Sequence, residues 1–171
     1  MKNDLIVITG FMGSGKSTVA RALARLLDSQ MVDLDEEILK RERRSAKQII
    51  EADGEPAFRE IETRVLRAVL QNHAVGVISL GGGAWTFAGN RDLITSAGGL
   101  SVWLDVPFSL CWQRIVASKG RRPLAPNEQE ALGLYTERRP AYSFADLHVE
   151  ASKNQTARET AVEIVKALAG R

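Results

Sequence analysis

Short apolar runs alternate with amphipathic stretches along the chain. Leu5 to Thr9 (Leu-Ile-Val-Ile-Thr) is apolar and β-branched, as expected of a buried strand. Gln30 to Asp33, Val75 to Ser79, Leu100 to Asp105 and Leu147 to Glu150 read as four more strands. Between them, Val19 to Leu27 places Val19, Leu23, Leu26 and Leu27 at helical spacing, and Asp35 to Arg44 is a charged helix with Ile38 and Leu39 inward. Ser45 to Gln48 forms a capping box opening a short helix through Glu51, which Asp53-Gly54 breaks. Pro56 begins a long helix to about Gln71, with Phe58, Ile61, Val65 and Val69 on one face. Asn90 to Ala97 is a short helix ended by Gly98-Gly99, and Pro107 starts another to Ala117. Glu128 to Arg138 is helical, and Thr156 with Glu159 caps a last helix that buries Val162, Ile164, Val165 and Leu168.

Strands alternating with helices predict an α/β fold: a parallel sheet covered on both faces, three layers in all. The chain shows no repeat, low-complexity segment or linker, so one domain spanning 1–171 is expected. Ligands of such sheets gather at the carboxyl ends of the strands. The segments following strands one, two and three should therefore share one edge.

Composition narrows the class. A 44% hydrophobic and 26% charged make-up is ordinary for a globular protein, and a net charge of +2 does not argue for nucleic acid or membrane binding. No apolar run approaches a membrane span, and Met1-Lys2-Asn3-Asp4 leads straight into the first strand, so no secretory signal is expected. Cys111, the single cysteine, suits a reducing cytoplasm and reads as a small buried hydrophobe.

The strongest chemical signal is Gly10 to Thr18, Gly-Phe-Met-Gly-Ser-Gly-Lys-Ser-Thr, between the first strand and the first helix. It fits a phosphate-binding loop: glycines turn backbone N–H groups toward phosphate oxygens, the helix N-terminus adds partial positive charge, Lys16 reaches the β- and γ-phosphates, and the Ser17 hydroxyl can ligate Mg²⁺. Asp33 and Asp35, two residues apart in extended chain, should point the same way with α-carbons roughly 6–7 Å apart. One carboxylate could face the Mg²⁺ shell and the other could accept a hydroxyl proton, unless Asp35 is only a helix N-cap. Gly81-Gly82-Gly83 is either a plain turn or a place where a ligand nears the backbone. Arg59 could simply pair with Glu62, and Arg138 lies in the charge run Glu137-Arg138-Arg139; an acceptor bearing a carboxylate would give both guanidinium groups a bidentate task. Ser118 to Asn127 is a basic stretch with little to bury, read as a mobile loop whose Arg122 could close over nucleotide phosphates. His73 and His148 show no catalytic or metal-ligand pattern, and Trp103, Trp112 and Phe108 are most simply core.

In combination these residues resemble the shikimate kinases, small phosphate-loop kinases of aromatic amino-acid biosynthesis. The likeness runs from Leu5 to the last helix. It rests on residues 10–18, Asp33-Leu34-Asp35, Asp53-Gly54-Glu55-Pro56-Ala57-Phe58-Arg59, Ser79 to Ala84, Arg122-Pro123-Leu124 and Arg138-Arg139-Pro140-Ala141-Tyr142. The resemblance implies a phosphate-loop kinase fold with sheet order 2-3-1-4-5, a lid at about 118–127 and a substrate-binding segment at about 35–62. It implies transfer of the ATP γ-phosphoryl group to the 3-hydroxyl of shikimate by a cytoplasmic monomer. By position, Gly13, Ser14, Gly15, Lys16, Ser17 and Thr18 would hold ATP with lid Arg122, while Ser17 and Asp33 would serve Mg²⁺. Asp35 would bind the substrate hydroxyls and act as base beside the catalytic groups Lys16 and Arg122. Arg59, Arg138, Gly81 and Gly82 would hold shikimate, and Ser152 to Gln155 would border the adenine. The chain departs from the family's habit at Ile50 (often phenylalanine), at Trp85 and Phe87 (bulkier than expected), and at Arg43, where Gly-Arg-Ser is usual. Two alternatives stand beside this reading: a kinase for another hydroxy acid such as gluconate, and a nucleotide-binding module without catalysis. The presence of Asp33, Asp35, Arg59 and Arg138 weighs against the second.

Overall fold

The structure is a computed structural model describing residues 5–118 and 127–170. The strands are β1 (Ile6–Thr9), β2 (Gln30–Asp33), β3 (Val75–Ser79), β4 (Leu100–Asp105) and β5 (Leu147–Glu150). They form a parallel sheet in the order β2-β3-β1-β4-β5. Every residue of β1 and β3 is buried. Because successive side chains point to opposite faces, both faces must be covered.

The helices are α1 (Lys16–Leu26), α2 (Leu34–Glu42), α3 (Ala46–Asp53), α4 (Glu55–Leu70), α5 (Ala88–Ser96), α6 (Phe108–Ala117), α7 (Glu128–Tyr142) and α8 (Ala157–Ala169), with a 3-10 turn at Ala84–Thr86. Helix α1 packs on α8, while α4 gathers α2, α3 and α5. Both expected capping boxes form, at Ser45/Gln48 and Thr156/Glu159. Buried Asn90 ties the 3-10 turn to α4: its Nδ2 donates to Ala84 O (2.9 Å), and its Oδ1 accepts from Thr63 Oγ1 (2.8 Å).

Several expectations need correction. Asp33 and Asp35 do not lie in one extended stretch. Asp33 is the N-cap of α2, accepting from the N–H groups of Asp35 (3.1 Å) and Glu36 (3.3 Å), and Asp35 stands in the first helical turn. The cap offsets the helix's unpaired N–H groups, so the chain turns at once after β2. Leu34 and Ile38, not Leu39, supply the buried side of α2, and Leu26 on α1 is also exposed. Helix α7 runs past Arg138 and contains Pro140, which forgoes one N–H bond of the ladder near the helix's end. Beyond it, Ser143 N–H still reaches Arg139 O at 3.3 Å. His148 does have partners: its Nε2 lies 2.9 Å from Asp105 Oδ2, and its ring stacks on Trp103 at 4.3 Å. Trp103 is core, whereas Phe108 and Trp112 are only partly buried. Arg43, where the family favours glycine, ends α2 in the left-handed conformation at φ 56°. Arg122 and most of the expected lid lie outside the described residues.

Candidate active site

Parallel register brings the strand ends together. Ile8 is level with Ser79, and Ser79 with Asp33, so the phosphate loop, Asp33 and the glycine triplet share the carboxyl edge of the sheet. Gly13 needs its lack of a side chain twice: its φ is +77°, and a Cβ there would lie 2.6 Å from Cys111 O. Cys111 is wholly buried beneath the loop, and burial pushes its thiol up to about 11, so it is packing rather than nucleophile. Lys16 is buried at the start of α1, with Nζ donating to Phe11 O at 2.8 Å. Ser17 Oγ donates to Asp33 Oδ2 and lies 3.4 Å from Ser79 Oγ.

A cavity of about 410 Å³ is lined by Gly13, Gly15, Lys16, Ser17, Thr18 and Asp33, together with Met12, Asp35, Gly81, Gly82 and Arg114. A smaller chamber of about 80 Å³ adjoins it and shares Met12, Asp35, Gly81 and Gly82. Its far wall carries Arg59, Glu62 and Arg138, with Ile50 and Phe58. Asp35 therefore stands between the phosphate loop and the arginine pair. A third cavity of about 300 Å³ joins Gly15 and Thr18 to Ser152 and Gln155, where the adenine border was expected.

The glycine triplet is the hinge of this arrangement. A Cβ on Gly81 would meet Asp35 Oδ1 at 2.9 Å, one on Gly82 would approach Arg138 Nη1 at 3.5 Å, and one on Gly83 would lie 2.8 Å from Arg59 Cζ. Three functional side chains thus converge on bare backbone. The Gly82 carbonyl accepts from Tyr142 Oη (2.6 Å), and Trp85 Nε1 donates to Ala141 O (2.9 Å), fixing the last turn of α7 beside the triplet.

Charge in the chamber is dense and buried. Arg59 donates to Glu62 Oε2 through Nη1 (2.7 Å) and to Glu55 Oε1 through Nε (3.2 Å) and Nη2 (2.9 Å). Burial opposes the Arg59 charge, yet these two carboxylates leave it raised. Burial pushes Glu62 up to about 7 against the pull of Arg59, with nearby Asp35 adding to the rise. Arg138 is lowered by burial and by repulsion from Arg59, partly offset by Tyr142, so it holds its charge at a desolvation cost. Its neighbour Arg139 bridges to β4, with Nη1 and Nη2 at 2.6 and 2.9 Å from the two oxygens of Asp105.

The structure thus brings together Gly13, Ser14, Gly15, Lys16, Ser17, Thr18, Asp33, Asp35, Arg59, Gly81, Gly82 and Arg138 around adjoining cavities. Gly83 joins them as part of the triplet read from the sequence, whereas Arg114, Ser79 and Glu62 belong with them and were not singled out from the sequence as site residues. Arg114 donates to Gly13 O (3.3 Å) and Ser14 O (3.1 Å) and lines the cavities at Lys16 and at Ser152. Of the departures, Ile50 lines the chamber. Trp85 is buried toward α7, and Phe87, 45% exposed, lies outside with its ring 5.6 Å from Arg59 Cζ. Neither lines the chamber beside Ile50.

Among the described residues, the hydroxyl and carboxylate side chains lining this cavity are those of Ser17, Thr18, Asp33, Asp35, Glu36 and Ser118, with Ser79 reached through Ser17. Among the described residues, no three His, Cys, Asp or Glu side chains could cage a metal by themselves. The Ser17–Asp33 pair without such a cage fits a magnesium ion held largely by substrate phosphates. Among the described residues, no helix is long and apolar enough to cross a membrane.

Comparison with known proteins identifies the family. The Shikimate kinase family model matches residues 12–169. The shikimate kinase of Cereibacter sphaeroides is 43% identical over 97% of this chain and 83% of its own, and that of Aquifex aeolicus 39% identical over 96% of each. The structure of Acinetobacter baumannii shikimate kinase in complex with shikimate superposes with a TM-score of 0.90 at 35% identity, covering 98% of this chain and 93% of that one. A gluconokinase from Sinorhizobium meliloti, at 22% identity and a TM-score of 0.65, shares the fold. With its phosphate loop, acidic pair and arginine pair gathered at one sheet edge, this chain belongs to the shikimate kinase family of ATP-dependent phosphotransferases.

Proposed function

We propose that the chain transfers the γ-phosphoryl group of ATP to the 3-hydroxyl of shikimate, with the roles divided between the two adjoining cavities. The observation that carries this reading is the position of Asp35, shared by the cavity at Lys16 and the chamber at Arg59 and Arg138. The Acinetobacter baumannii relative, which binds shikimate, supports the choice of acceptor.

In this reading the loop from Gly13 to Thr18 holds the triphosphate through its N–H groups, and Lys16 Nζ leaves Phe11 O for a phosphate oxygen. Magnesium, when bound, neutralises charge on the β- and γ-phosphates. Ser17 and Asp33 would hold it, Asp33 through water. Arg59 and Arg138 clamp the acceptor carboxylate, with the Gly82 backbone as a further contact. That orientation turns a ring hydroxyl toward Asp35, which accepts its proton as the oxygen attacks the γ-phosphorus and the bond to the β,γ-bridging oxygen breaks, leaving ADP. Arg122, with the stretch 118–127, joins the reading as lid arginine on sequence grounds. The lone reduced cysteine is in keeping with a cytoplasmic setting.

A coupled ADP-release assay with shikimate and with gluconate, each with and without Mg²⁺, tests the reading. Shikimate- and Mg²⁺-dependent turnover is expected. Lys16→Ala and Asp35→Asn should each lower kcat by on the order of 10²-fold or more. Preference for gluconate would overturn the acceptor, and a fully active Asp35→Asn enzyme would end the assignment of Asp35 as base.

A further inference from the structure

We propose that Glu55 is a resident competitor at the acceptor site. Its carboxylate occupies the edge of Arg59 best suited to the acceptor's carboxylate, and so limits how tightly the acceptor binds. The inference rests on the reading that Arg59 holds that carboxylate.

Glu55, Arg59 and Glu62 stand at i, i+4 and i+7 of α4 and so share one side of the helix. A guanidinium offers its parallel N–H pair along the Nε/Nη2 edge, and a carboxylate takes that pair bidentately. In this protein Glu55 Oε1 takes both, at 3.2 and 2.9 Å. The faces of the guanidinium are crowded by the Gly83 backbone, with the rings of Phe58 and Phe87 5.2 and 5.6 Å from Cζ. An incoming carboxylate must therefore approach Arg59 in its plane, where Glu55 already sits.

The two carboxylates on Arg59 are not equivalent. The Glu62 side chain is 1% exposed and holds Nη1 at 2.7 Å, whereas the Glu55 side chain is 46% exposed. Glu62 alone suffices to orient Arg59, and it has no solvent to retreat into. Glu55 faces the outer cavity of about 810 Å³, where it can swing into water. Its field also reaches Arg138, the other arm of the clamp. Glu55 thus neutralises the clamp from the outside and yields when a carboxylate arrives from the chamber.

The competitor role and a purely orienting role predict opposite signs. Shikimate is titrated into the full chain and into Glu55→Gln and Glu55→Ala by calorimetry, alongside shikimate methyl ester, and KM is measured for both substrates. Loss of a half-exposed ion pair should tighten shikimate binding by about two- to fivefold in both variants. The ester, having no carboxylate charge, should gain nothing, and KM for ATP should not move. Weaker or unchanged shikimate binding in the variants, or an equal gain for the ester, overturns the proposal. If instead Arg59→Lys binds shikimate as tightly as the parent chain, the underlying assignment of Arg59 fails, whatever Glu55 does.

Discussion

At the scale of single residues, the acceptor site depends on side chains that are not there. Gly83 has an ordinary backbone conformation, φ −107° and ψ −15°, so its identity is set by the Arg59 guanidinium lying against it rather than by strain. Gly83→Ala would drive a methyl group into a guanidinium that Glu62 and Glu55 already hold in place. Displacing a clamp by about an ångström costs on the order of 10–100-fold in kcat/KM for the acceptor, while ATP affinity should be unchanged. Steady-state kinetics with each substrate varied checks this, and an unaffected acceptor KM would mean that Arg59 does not hold the carboxylate. The sequence made the triplet visible only as a stretch open to a ligand, because the side chains that fill it come from α2, α4 and α7. Arg114 was hidden for the same reason: one arginine on a helix looks solvated until folding lays it against the carbonyls of Gly13 and Ser14. Lys16 and Ser17 were plain beforehand, since their chemistry is carried by a local pattern.

At the scale of elements, what was local was legible. Strands β2, β3, β4 and β5 match their expected bounds, because turn signals close each run, and both capping boxes were written in residues three apart. Helix ends set by tertiary contacts were not. Helix α7 continues to Tyr142 where its final turn is pinned to Gly82 and Trp85, contacts some 60 positions away in the chain. Arg43 is an intermediate case. It departs from the family's glycine, and the structure supplies the physical meaning, a left-handed residue closing α2 at φ 56°. A side chain there costs roughly 1–2 kcal/mol against glycine, partly offset by glycine's greater freedom when unfolded. Arg43→Gly should therefore stabilise the chain by about 0.5–1 kcal/mol in urea unfolding, with an unchanged m-value. A destabilised variant would place Arg43's contacts above its backbone cost.

At the scale of the whole molecule, the parallel sheet and its layers followed from alternating patterns, whereas the strand order came with the family resemblance, since crossover choices leave no local mark. That order places buried charge at the sheet's carboxyl edge, and the fold bears the consequence. Glu62 sits 1% exposed between Arg59 and Asp35, and burial lifts its carboxyl from 4.5 to about 7. A carboxyl raised on folding favours the native state while protonated. Its contribution is full below about pH 4.5, the unfolded value, and is lost as pH climbs through about 7. Other carboxylates may not be summed with it, so the clean measurement is a difference: unfolding free energy of the parent minus that of Glu62→Gln, across pH 4 to 8. The glutamine keeps the size of the side chain and an oxygen for Arg59 but cannot titrate. The parent should lose on the order of 2–3 kcal/mol relative to the variant between about pH 4.5 and 7. A flat difference would mean that Glu62 stays ionised in the fold, with Arg59 and Arg138 together outweighing its burial. The clamp would then carry one more fixed negative charge at neutral pH, and the acceptor's carboxylate would have to bind against it.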